Sequence, residues 1–96
     1  MEILLFLAHC TDLEVDKKYY QGVNECKQML LQFPRNAEIL LQLARFYHYL
    51  ENWQNARKYY GLAIAADPFE DRAYSGLYRI RNNLPLVGEI IRFTSP

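Results

Sequence analysis

Apolar residues between Ala37 and Ala66 recur at helical spacing. Leu40, Leu43, Ala44 and Tyr47 fall at i, i+3, i+4 and i+7, one stripe along a helix. Trp53, Ala56, Tyr60 and Ala63 form a second stripe that can face the first. The small residues Ala44, Ala56 and Ala63 allow two helices to approach closely, and Trp53 and Tyr60 fill the space beside them. Asn36 and Asn52 stand just ahead of these segments as candidate N-caps. Pro34-Arg35-Asn36 makes one break. Asp67-Pro68 makes the next, a capping acid before a helix-initiating proline, which predicts a fifth helix starting there and ending near Arg81. Upstream, the apolar run from Ile3 to Cys10 predicts a first helix. Asp16 is placed to cap a second one running to about Phe33.

The upstream segments repeat the downstream pattern. Pro34 and Pro68 are 34 residues apart, the length of a helix–turn–helix unit that stacks side by side. The offsets back from Pro68 that give Leu40, Leu43, Ala44, Tyr47, Trp53, Ala56, Tyr60 and Ala63 give, back from Pro34, Phe6, His9, Cys10, Leu13, Tyr19, Gly22, Cys26 and Met29. Small or apolar residues occupy most of the same slots. A helix packed on one neighbour leaves its other face wet, so each hairpin needs the next.

On these residues, Ala37 to Pro68 resembles a tetratricopeptide repeat. Ile3 to Asn36 resembles a weaker copy, with His9 and Leu13 departing from the usual Leu and Tyr. Asp71 to about Asn82 is similar to the first helix of a third copy through Tyr74 and Leu77, although Arg81 takes an aromatic slot and Pro85 falls near the next turn. The resemblance implies an all-α fold of antiparallel hairpins in a short right-handed solenoid. It divides residues 1–83 into repeats of about 3–36, 37–70 and a partial 71–83, leaving 84–96 as a capping helix or flexible tail. It also implies a scaffold that binds proteins or peptides.

Composition narrows the classes of function. Eleven Lys and Arg residues balance eleven Asp and Glu, so no overall field favours nucleic acid or an anionic membrane. No apolar run approaches the ~20 residues of a membrane span, and Ile3–Cys10 lacks the basic flank of a signal peptide. A cytoplasmic protein is expected. Cys10 and Cys26 are too few for a disulfide framework and sit in small-residue slots where a thiol acts as a compact apolar group. His9, Cys10, Cys26 and His48 match no recurrent zinc spacing. Phosphate loops, nucleophile elbows and zinc helices are missing from the sequence. Neither an enzyme nor a cofactor or metal site is expected.

The resemblance also suggests where a partner would dock, because the first helix of each hairpin lines the concave side. Projected onto that face are Leu4, Leu7 and Thr11, then Glu38, Leu41, Gln42, Arg45, His48 and Tyr49, then Arg72, Ser75 and Arg79. An apolar end and an arginine end suit an extended peptide or helix with complementary ends. Chaperone-tail clamps place Lys and Asn where this chain has Leu7, Thr11 and Gln42, which disfavours that ligand. The leading expectation is therefore a protein-interaction module or adaptor. Ala66 to Tyr74 is similar to part of the activator domain of some bacterial transcription regulators, so a regulatory or oligomerisation domain is an alternative. A self-associating unit is another, through its open terminal hairpin or its tail.

Overall fold

Five α-helices follow one another in the computed structural model, which describes residues 2–86: α1 (Ile3–Val15), α2 (Tyr19–Gln32), α3 (Ala37–Tyr49), α4 (Trp53–Ala66) and α5 (Asp71–Arg81). No strand occurs among the described residues. The helix bounds themselves repeat. α3 begins 34 residues after α1 and α5 begins 34 after α3, while α4 begins 34 after α2. Loops of three and four residues alternate between them, short enough to leave consecutive helices antiparallel. α3 is central and packs against all four others.

Repetition extends to the turns. α1, α3 and α5 end in the same Schellman motif, with Lys17, Glu51 and Asn83 in the left-handed region at φ 58°, 59° and 56°. In each, the next amide donates back to the third-last helical carbonyl: Lys18 to Leu13 (2.8 Å), Asn52 to Tyr47 (2.9 Å) and Leu84 to Arg79 (2.7 Å). α5 reaches this stop two residues earlier in the repeat than α1 and α3 do.

Asn36 and Asn52 cap as expected, their Oδ1 atoms accepting from the Ile39 and Asn55 amides at 3.0 and 3.3 Å. The two aspartates do not. Asp16 is the C-terminal cap of α1, and α2 starts at Tyr19 behind Lys18, which makes no side-chain cap bond. Asp67 closes α4 and accepts from the Phe69 amide at 3.1 Å in a local turn. α5 then starts after Glu70, whose carboxylate accepts from the Arg72 amide.

The core follows the repeat slots. Phe6, Cys10, Leu13, Cys26 and Met29 are buried with Leu40, Leu43, Ala44, Tyr47, Ala56, Tyr60 and Ala63; each large apolar side chain so buried is worth roughly 1.5–3 kcal/mol. Trp53 is half-buried against the cluster. Two contacts require glycine. A Cβ at Gly22 would lie 2.5 Å from the Phe46 ring, and one at Gly76 would run into the Tyr60 ring. Aromatic rings from α3 and α4 thus rest directly on the backbones of α2 and α5.

The ends of the array differ from its middle. Ile39 and Ala73 are fully buried, whereas Leu5, their equivalent in α1, is exposed. At the other end, Tyr78 is 63% exposed although its equivalents Cys10 and Ala44 are fully buried. Leu84–Leu86 are not helical; the rest of the expected capping helix or tail, 87–96, lies outside the described residues.

Candidate functional site

α3 and α5 pack side by side, with α4 against both. On their shared face Arg45, Tyr60, Arg72, Ser75, Gly76, Arg79 and Leu86 line a depression of about 110 Å³. A wider, open hollow of about 480 Å³ between the α2–α3 turn and the end of α4 is lined by Pro34, Arg35, Leu40, Leu62, Ala65 and Ala66. It offers Arg35 as its one charged group, so the face between α3 and α5 holds the richer chemistry.

Its arginines are largely committed within the chain. Arg45 donates to Glu14 Oε2 through Nε (3.2 Å) and Nη2 (2.8 Å). Burial works against its charge, but Glu14 outweighs that and holds its pKa up. Arg72 donates through Nε to Glu70 Oε2 (2.8 Å) and through Nη2 to both Glu38 oxygens (3.0 Å). The Arg72 bonds hold the Glu70 carboxyl below its ordinary range against the opposing effect of burial. Arg79 has no ion-pair partner among the described residues.

His48 is at the back of this face and is fully buried. The Leu84 carbonyl, 3.1 Å from Nε2, can only accept, so Nε2 carries the proton. Nδ1 then accepts from the Tyr60 hydroxyl at 2.9 Å. The Trp53 and Tyr60 rings meet the imidazole edge-on, with centroids 5.6 and 5.7 Å away. Burial pushes the imidazole pKa down, the Leu84 carbonyl opposes it, and the Arg79 and Arg45 charges add to the fall. The imidazole is therefore a neutral donor with both nitrogens engaged.

The residues projected onto one binding face do not stay together. Arg45, Arg72, Ser75 and Arg79 share the depression, with Glu38 tied to it through Arg72. Tyr49 is apart from it, stacked on Tyr19 at a 4.5 Å centroid separation. Leu41 and His48 were expected on the open surface and are buried instead, because α3 has neighbours on nearly every side. Leu7 is half-buried against the core, Leu4 and Thr11 lie on exposed α1 surface, and the Gln42 amide nitrogen is buried without a hydrogen-bond partner among the described residues.

Sequence reasoning missed Glu14, Glu70, Gly76, Leu84 and Leu86, and assigned Tyr60 only to packing. Gly76 falls 34 residues after Gln42 and 68 after Ala8, a slot in which residue size follows no trend, so the period gave no signal for it.

The other chemical candidates are structural. Cys10 and Cys26 face each other with sulfurs 4.0 Å apart, in hydrogen-bond contact and not joined by a disulfide. The hydrogen bond to Cys10 and burial push the Cys26 thiol up, far from a reactive thiolate. His9 Nε2 lies 2.7 Å from Glu25 Oε1. Among the described residues no three His, Cys, Asp or Glu side chains converge on one point, and no helix is long and apolar enough to cross a membrane. Compared with protein-family models, curated proteins and solved structures, the chain matches none of them.

Proposed function

We propose that the chain is a protein-interaction module of the tetratricopeptide type, its hairpins stacked as a short solenoid, and that it takes up an extended segment of a partner between α3 and α5. The observation that carries this reading is the depression on that face, where Arg45, Arg72, Arg79 and Ser75 surround Tyr60 and Gly76 and the Leu86 side chain forms one edge. The 34-residue recurrence of helix bounds and turns supports the scaffold. With Arg45 and Arg72 neutralised by Glu14, Glu38 and Glu70, the ligand is chiefly apolar and extended, and Arg79 is the cation left to meet a carboxylate. The reduced pair Cys10 and Cys26 suits a reducing compartment such as the cytoplasm.

Selection from a displayed peptide library against the whole chain tests the reading. Enriched peptides should carry leucine-like residues, lose binding to Ser75→Trp, which fills the depression, and weaken several-fold against Arg79→Glu. Enriched peptides that bind Ser75→Trp as well as wild type would place recognition elsewhere.

One observation favours self-association as a second reading. Tyr74, Leu77, Tyr78 and Arg81 form an open face on α5, where the second helix of a hairpin would pack. Light scattering across a concentration series decides it, since a strict monomer at high concentration removes this reading.

A further inference from the structure

Resting on the reading of the α3–α5 face as a peptide site, we propose that Leu84-Pro85-Leu86 is a resident ligand of that site, and that an outside partner binds by displacing it with the same chemistry. That chemistry is an extended segment giving one backbone carbonyl to His48 and, two residues later, one leucine-like side chain to the edge of the depression.

Three observations carry the inference. In the first two hairpins the Schellman turn leads straight into a partner helix, at Tyr19 and Trp53. The same turn at Asn83 delivers a non-helical segment instead. Past the Schellman bond from the Leu84 amide to Arg79, that segment is bound at two further points: the Leu84 carbonyl accepts from His48 Nε2, and Leu86 is buried to 9% exposure beside Tyr60, Gly76 and Arg79. Pro85 between them has no amide hydrogen to satisfy and favours the extended backbone such a ligand needs.

The third observation is the donor itself. His48 is buried and its Nδ1 is already held by Tyr60, so Nε2–H stands as a preformed donor that needs an acceptor. Leaving a buried donor unpaired is costly, so departure of Leu84 creates a demand that a partner's carbonyl meets. Leu84 and Pro85 are exposed, so beyond the Schellman bond from the Leu84 amide to Arg79 the segment is fastened by the His48 hydrogen bond and one side chain. Its tether, starting at the end of α5, gives it a high effective concentration. A partner overcomes that by adding contacts the segment lacks, with Arg79 within reach of a carboxylate.

The test uses the full chain labelled with ¹⁵N and a synthetic acetylated peptide spanning residues 83–96 as the probe. Leu86→Ser removes the apolar contact at the edge of the depression without offering Arg79 a carboxylate, and Leu86→Ala is the milder variant should the first unfold. Loss of this contact is expected to move the Gly76 and Arg79 amide signals and the His48 Nε2 signal. Peptide added in trans should return them toward their wild-type positions, binding the variant about tenfold or more tightly than wild type. Unmoved signals at millimolar peptide would make the segment a structural cap and overturn the inference. Equal affinity for variant and wild type would show that the two do not compete and overturn it as well. In either case library peptides that still depend on Ser75 would leave the peptide-site reading standing, whereas loss of that dependence would remove both.

Discussion

At the scale of single residues, His48 links the parts of the candidate site. It spans from α3 to the Tyr60 hydroxyl of α4 and the Leu84 carbonyl beyond α5, and it does so in the neutral form. Its folded-state pKa is depressed, first by burial and then by Arg79 and Arg45, against the pull of Leu84. A histidine in the unfolded chain titrates near 6.5, so as pH falls through that value the unfolded state takes up the proton first. Its contribution is fully present above about pH 6.5 and declines on acidification, by at most about 1.4 kcal/mol per pH unit until the folded-state pKa is reached. Urea unfolding at pH 7 and pH 5 should show wild type losing more stability than His48→Gln, which keeps an amide donor but does not titrate. An identical loss in both would mean that the imidazole does not set this slope. None of this was visible in the sequence, where His48 read as a groove residue. One period places it on a helix but does not reveal how many neighbours the helix has.

At the scale of elements, helix existence was legible and helix starts were legible in part. Asn36 and Asn52 were recognised because each directly precedes a strong apolar stripe. Asp16 and Asp67 carry the same type of side chain but lie in the C-terminal turn of the preceding helix, where the left-handed residue Lys17 or the break at Pro68 still has to reverse the chain. Capping propensity alone does not distinguish a start from a stop when loops are three or four residues long. Asn36→Ala should therefore cost about 1 kcal/mol in chemical denaturation, while Asp16→Ala, which loses no N-cap bond, should stay within about 0.5 kcal/mol. Equal costs would contradict the assignment of Asp16 to the end of α1. The close approaches at Gly22 and Gly76 belong to this scale too. They bring α2 and α5 against Phe46 and Tyr60 with no room for a methyl group.

At the scale of the whole molecule, a repeated slot has different consequences in different copies. Ala44 and Tyr78 are equivalent by the 34-residue period, yet the first is fully buried and the second largely exposed, because α4 packs against α3 there while no helix among the described residues covers the same face of α5. Lysine at each position separates the two environments. Tyr78→Lys should leave the melting transition nearly unchanged, within about 0.5 kcal/mol. Ala44→Lys buries an unpaired charge and should cost several kcal/mol, on the order of 4 or more. Comparable losses at both sites would mean that α5 is covered on that face. Phe69, at the turn before α5, is 89% exposed and lies outside the core.

By itself the sequence determined the local and periodic features: five helices, their lengths to within a few residues, the buried alanines and the two asparagine caps. These follow from side-chain spacing and short-range hydrogen bonds, which a single stretch of chain specifies. Tertiary structure alone decided which charges were already paired, that His48 faces inward, and that Leu86 lies beside Tyr60, Gly76 and Arg79. Glu14 meets Arg45 from 31 residues away, Glu38 meets Arg72 from 34, and His48 meets Leu84 from 36. Contacts at that separation depend on how one helix is rotated against the next, and a repeat fixes that rotation only where its neighbours are present.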